Sequence, residues 1–245
     1  MEFSSATTSC TTALHLGLIA FGIKKGDEVV VPAFTWISTA NVVEFCGAKP
    51  IFADVDPRTF NLDLNDVKKK ITKKTKAVIA VHLFGLCCDI IKLKKILPTN
   101  VKILEDAACS TGSTYNGKFS GNIGDAAAFS FHPRKIITTG EGGILSTNSK
   151  QIFDKINTLR NMGASISDAQ RHHGPTPYIL PDFNVLGYNY RMTDIQAAIG
   201  LVQLKKLSKI IIARKRIAKF YDDHLSKIEW LKLPKEPKNF SHTWQ

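Results

Sequence analysis

The chain has 245 residues, 44% of them hydrophobic and 9% aromatic, enough apolar material for one large domain or one plus part of another. No apolar run approaches the ~20 residues that span a bilayer, and the opening MEFSSATTSC has neither a basic nor an apolar leader region, so the sequence predicts a cytoplasmic location and no membrane partner. A formal charge of +12 raises the question of nucleic acid, while five cysteines without a repeated C-x-x-C spacing argue against a disulfide framework and against structural zinc.

The elements follow in chain order. Small hydroxyl residues in SSATTSC precede a helical pattern, TTALHLGLIAFGI (11–23), that closes near Gly22. DEVVVPAF (27–34) reads as a buried strand, WISTANVVEFCG (36–47) as a helix closing at Gly47, and KPIFADVD (49–56) as the next strand. The alternation continues through a helix at LNDVKKKI (64–71), a strand at KAVIAVHLF (76–84), a helix at IIKLKKIL (90–97) and strands at VKILEDAA (101–108), AAAFSFH (126–132) and GGILST (142–147). Several of these strands are continuously apolar, the signature of a sheet covered on both faces, so the fold class is α/β with a mostly parallel central sheet flanked by helices. A Pro- and Gly-rich stretch, GPTPYILPDFNVLGYNYRMTD (174–194), leads into a helix whose Ile195, Ala198, Ile199 and Val202 share one face. The end, NFSHTWQ, has no turn signal and no polar tail, and reads as an interrupted chain.

The charge resolves along the same map. Lysines in VKKKITKKTK (67–76), in IKLKKIL (91–97) and beyond Lys205 punctuate apolar residues at helical spacing, as solvated faces do. No stacking aromatics interleave with them, so nucleic acid is not an expected partner, although a positive field suits anionic small molecules.

Ligands of parallel sheets gather beyond the carboxyl ends of the strands, where Trp36, Asp106 and the run Ser130 to Lys135 fall. Each has a plain structural alternative. Ser9, Thr11 and Thr12 offer hydroxyls and a helix N-terminus to an anion, or simply cap the helix. Asp106 ends an apolar strand, where a carboxylate calls for a cation or a salt bridge. Trp36 offers a flat surface to a planar ligand or a core aromatic. Ser130 and His132 share one strand face, with Lys135 three residues on. His82, Cys87, Cys88 and Arg134 read as structural or solvent-facing, and the adjacent His172 and His173 lack useful metal-ligand spacing, so no metal is expected. One ligand unites the rest: a phosphate-bearing, cationic aromatic ring that takes an imine from a lysine, which describes pyridoxal 5'-phosphate (PLP).

The segments TSCTTALHLGL, GDEVVVPAFTWISTANVVEFCGAKPIFADVD, AVHLFGLCCDI, ILEDAACSTGSTYNGKFSGNIGDAAAFSFHPRKIITTGEGG and LGYNYRMTDIQAAIGLVQL together resemble the DegT/DnrJ/EryC1/StrS family of nucleotide-sugar aminotransferases, over residues 7 to about 205. The resemblance implies the aspartate aminotransferase fold (fold type I), with a PLP-binding large domain at 1–190 and, at 191–245, a connecting helix and the start of a small domain. It implies that Lys135 carries the cofactor, Asp106 pairs with its ring nitrogen and Trp36 stacks on the ring. Cys10, Thr11 and Ser130 would hold the phosphate, and Asn189 would reach the cofactor of a second subunit in a homodimer with shared active sites. Members commonly have Gly or Ala at position 10 and Gln or His at position 109, so Cys10 and Cys109 depart from the pattern. The implied reaction moves an amino group from glutamate, which becomes 2-oxoglutarate, to a keto sugar carried on a nucleotide. Some relatives with histidine in place of the lysine are PLP-dependent sugar dehydratases, so Lys135 favours transamination; a non-catalytic protein of the same fold is the other alternative.

Overall fold

The computed structural model describes residues 1–166 and 180–245, so His172 and His173 lie outside the described residues. Alternation of strand and helix produces β1 (Phe3–Thr7), α1 (Cys10–Ala20), β2 (Glu28–Pro32), α2 (Ser38–Phe45), β3 (Lys49–Ala53), α3 (Leu64–Lys70), β4 (Thr75–Val81), α4 (Ile90–Ile96) and β5 (Lys102–Asp106). A small hairpin, β6 (Thr114–Tyr115) and β7 (Lys118–Phe119), precedes β8 (Ala126–Ser130), β9 (Gly143–Thr147) and α5 (Lys150–Arg160). Beyond 180 come α6 (Asp194–Leu204), α7 (Leu207–Leu225) and β10 (Phe240–Ser241).

Seven strands form one sheet in the order β1-β9-β8-β5-β4-β2-β3. The pairs β2–β3, β2–β4, β4–β5 and β5–β8 are parallel, while β9 runs antiparallel to β8 and β1. Continuous apolar strands work here because alternate residues feed opposite cores. Val29, Val31, Ala77, Ile79 and Leu104 pack with α1, α2 and α5 through Leu14, Leu18, Val43 and Ile156. Val30, Val78, Ala80 and Ile103 pack on the other face with Val67 of α3 and with Ile90 and Leu93 of α4.

Gly22 and Gly47 follow α1 and α2 with φ of 83° and 69°, the left-handed turn that ends a helix most cheaply at glycine. Strand β1 is not foreshadowed by any hydrophobic period. Its FSSAT segment is an edge strand tied to β9 by the backbone ladder, to its neighbours by Ser4 to Ser146 and Ser5 to Asn157 side-chain hydrogen bonds, and to α5 by Phe3 stacked on Phe153 with ring centroids 5.1 Å apart. The apolar face read on α6 does exist, but the described residues do not cover it: Ile195 is 77% exposed and no residue of α6 or α7 is buried.

The tail returns to the main body. Phe240 stacks on Tyr115 with ring centroids 4.1 Å apart, Thr243 N–H donates to the Gly85 carbonyl, and Gln245 N–H donates to that of Phe84. Among the described residues no helix is long and apolar enough to cross a membrane.

Candidate active site

Asp106 is the last residue of β5 and only 4% exposed. Its Oδ1 accepts the Ala108 N–H at 3.2 Å and its Oδ2 accepts the Thr39 hydroxyl at 3.1 Å, while the Cys10 thiol points at Oδ1 from 3.9 Å. Two conventional hydrogen bonds serve a group with about four acceptor positions, so the carboxyl retains capacity for a further donor. Burial pushes its pKa above the usual aspartate value, against the pull of Ala108 N–H, the Thr39 hydroxyl and the Lys135 amine. Such a carboxyl gains most from a cationic donor placed beside it. Burial and then Asp106 push the Cys10 thiol well up as well, so a neutral S–H faces the carboxyl.

Lys135 lies in the turn between β8 and β9, where its N–H donates to the His132 carbonyl. That turn folds back because Phe131 N–H reaches Gly142 O and Thr139 N–H reaches Phe131 O. The lysine Nζ donates to Cys109 Sγ at 3.1 Å. Cys109 itself is three residues past Asp106, so amine, thiol and carboxyl share one end of the sheet. Gln245 closes over the same turn, its side-chain amide donating to the Arg134 carbonyl at 2.8 Å.

The start of α1 offers two N–H groups that could serve an anion. Cys10 and Thr11 provide its first two N–H groups, which no carbonyl of the helix serves. The side chains expected to join them are partly committed elsewhere. Ser9 Oγ accepts the Thr12 N–H and Thr12 Oγ1 accepts the Ser9 N–H, a reciprocal cap, so these two hydroxyls stabilise the helix end. Ser130, buried at the end of β8, accepts the His132 N–H at 3.4 Å and keeps its own hydrogen to donate.

Gly143 lets these pieces meet. A Cβ there would collide with the Ser9 carbonyl and the Cys10 N–H, so β9 passes against the helix start with no side chain between them. Gly143→Ala is therefore expected to shift the start of α1, costing about 1–3 kcal/mol in denaturant unfolding and weakening anion binding there.

The remaining candidates lie as follows. Trp36, in the loop after β2, is 69% exposed. Asn189 is exposed and bridges to Asn161, next to Tyr190, whose carbonyl accepts the Thr8 N–H beside the start of α1. Sequence reasoning missed Thr39, for which no local pattern exists. It also missed Glu105, for which one did: a second carboxylate inside VKILEDAA. Glu105 and His82 are fully buried, with Nε2 of the imidazole 2.7 Å from Oε2. Cys88 N–H donates to His82 Nδ1, so the ring proton is on Nε2 and faces the carboxylate. Among the described residues no group of three or more His, Cys, Asp or Glu is placed to hold a metal ion.

Comparison with known proteins joins this geometry to a family. GDP-perosamine synthase of Caulobacter vibrioides is 46% identical over 229 residues, covering 93% of this chain and 59% of that protein. The chain spans about three fifths of the length of the curated relatives it matches. An aminotransferase structure from Psychrobacter cryohalolentis superposes with a TM-score of 0.92 at 33% identity, over 99% of this chain and 64% of that one. A putative sugar aminotransferase from Streptococcus pneumoniae, in its PLP form, gives 0.87 at 29% identity over 98% and 64%. The DegT/DnrJ/EryC1/StrS aminotransferase family model matches residues 1–245, and the chain belongs to that family.

Proposed function

We propose that this chain is the cofactor-binding part of a PLP-dependent aminotransferase that moves an amino group from glutamate to a keto sugar linked to a nucleotide. One observation carries the reading: a buried, acceptor-rich Asp106 and the Lys135 amine converge at the same sheet end, beside the open start of α1. Family membership, the perosamine synthase relatives and the PLP-form neighbour support it.

The residues fit the cofactor on their own chemistry. The α1 N–H groups of Cys10 and Thr11, with the Ser130 hydroxyl, suit a phosphate; Asp106 suits a protonated ring nitrogen, its desolvated carboxyl being relieved by a cation; exposed Trp36 is free to cover a ring face. Bound there, PLP withdraws electrons from the C–H bond of an attached amine. The chain's own part is positional and acid–base. Asp106 Oδ would hold the proton of a ring nitrogen, Lys135 Nζ would take the aldehyde group and serve as the base that moves a proton, and Cys109 would orient that amine. Lysine rather than histidine at position 135 favours transamination over dehydration.

The domain reading extends the same proposal: residues 1–190 form the large domain, and 191–245 lead through α6 and α7 towards a small domain. The uncovered side chains Leu186 (87% exposed), Ile195 and Leu201 (65%) suit a second copy, with Asn189 beside them contributing to the neighbouring site. Light scattering is expected to give a dimer mass.

The test is direct. Protein with PLP is expected to turn yellow, and borohydride followed by peptide mapping to leave the pyridoxyl group on Lys135. Label on another lysine, or none, would overturn the assignment. Glutamate should bleach the colour, and the keto-sugar nucleotide that restores it identifies the substrate.

A further inference from the structure

The Lys135 to Cys109 contact brings two nucleophiles of different chemistry within 3.1 Å, inside the ~3–3.5 Å range from which covalent bonds form with little motion. Both residues are half-buried and reachable by small solutes. Thiols beside lysines belong to the environments in which cysteine is redox-active. Burial pushes Cys46 and Cys87 up to about 11 and Cys88 to about 12, and Cys10 is pushed well up by burial and by Asp106, so these four thiols are poor targets for an oxidant.

We propose that Cys109 and Lys135 form an oxidant-sensitive modification site, in which hydrogen peroxide joins the cysteine sulfur to the lysine nitrogen. The sulfur gives two electrons to peroxide, whose O–O bond breaks, leaving a sulfenic acid and one water. The Lys135 amine, having lost its extra proton to solvent, attacks that sulfur; the S–O bond breaks and the hydroxyl leaves with a nitrogen-borne proton as a second water. The balance is Cys–SH plus Lys–NH2 plus H2O2 giving Cys–S–NH–Lys and two H2O. Sulfenic acids condense with nitrogen in this way, and the product is reversible by thiols: one thiol cleaves S–N, freeing the amine, and a second releases the mixed disulfide. Cys10 is the competing partner, but its neutral, buried thiol faces Asp106 rather than acting as a nucleophile.

The bond-forming chemistry stands on the contact alone. Its consequence rests on the proposed function: a lysine capped by sulfur cannot take an aldehyde, so oxidation locks the empty site, and bound cofactor protects it.

The experiment treats the purified protein with hydrogen peroxide, with and without saturating PLP, and maps peptides by mass spectrometry. Without PLP, the Cys109 and Lys135 peptides are expected to appear as one species lighter by two hydrogens than their sum, with PLP uptake lost in proportion to the joined fraction. Dithiothreitol is expected to restore both. Recovery of Cys109 as sulfinic acid with free Lys135, as a disulfide with Cys10, or unmodified would each overturn the proposal. Lys135→Arg is expected to divert Cys109 to sulfinic acid, and persistence of a Cys109 to nitrogen cross-link in that variant would overturn it as well. A cross-link that forms equally with and without PLP would leave this site standing and remove Lys135 as the cofactor's attachment point.

Discussion

Replacing Lys135 with alanine is expected to lower transamination by at least ~10³-fold while leaving the fold intact, because the side chain is half-exposed in a turn held by backbone hydrogen bonds. Only the amine is lost, and with it, under the proposed function, both the attachment point and the proton carrier. Addition of a small primary amine should recover part of the rate, which a collapsed site would not allow. Asp106→Asn separates stability from activity. An aspartate raised by burial binds its proton better when folded than when unfolded, so its ionisation near neutral pH costs the cofactor-free fold stability. That cost shrinks as pH falls through the folded-state value and vanishes below the ordinary aspartate range. The asparagine variant is therefore expected to be at least as stable as the parent at pH 7 without cofactor, the two converging in acid, while its activity falls ~10²-fold or more because a neutral amide cannot hold the ring proton. Urea unfolding across pH, beside single-turnover rates with glutamate, measures both arms.

Much of this architecture is legible in the amino-acid sequence. Continuous Val, Ile and Ala runs declare strands buried on both faces, and Gly22 and Gly47 end their helices where left-handed backbone is needed. What stays hidden has physical reasons. Strand β1 is held by its ladder to β9, by serine hydroxyls and by a single aromatic, Phe3, so no hydrophobic period marks it. The uncovered face of α6 shows in sequence as apolar spacing, which says that something packs there but not what. In the site, residue type carried Lys135 and Asp106 only as weak separate signals, and the ordered family pattern joined them. Thr39 is 67 residues from Asp106 and meets it solely through the strand order. The reciprocal cap of Ser9 and Thr12 shows the opposite outcome: two hydroxyls that suit an anion are used by the helix end itself.

Glu105 is where the largest loss of stability is expected. Adjacent to Asp106 on β5, it points to the other face and collects four donors. Oε1 accepts the N–H groups of Ile123 (2.9 Å) and Gly124; Oε2 accepts the Gly121 N–H at 2.8 Å and the His82 ring proton at 2.7 Å. Burial alone would raise this carboxyl, but His82 and the N–H groups of Gly124 and Gly121 outweigh it and hold it below the usual glutamate value. Through this one side chain the 121–124 loop, the end of β4 and β5 are tied together, and His82 N–H in turn donates to the Asp106 carbonyl at 3.0 Å. Glu105→Ala leaves four buried donors unserved and is expected to cost about 3–5 kcal/mol, often enough to prevent folding. Glu105→Gln is the informative variant: it keeps the shape but offers one oxygen, and its NH2 opposes two of the N–H groups, for an expected loss of about 2–4 kcal/mol at pH 7. A depressed carboxylate contributes stability that is fully present above the ordinary glutamate value and is lost as pH falls through the lower, folded-state value, the reverse of Asp106. The gap between parent and Glu105→Gln in urea unfolding should thus be widest near neutrality and narrow in acid. A gap that stayed constant across pH would mean that shape, and not the ionised carboxylate, holds the loop.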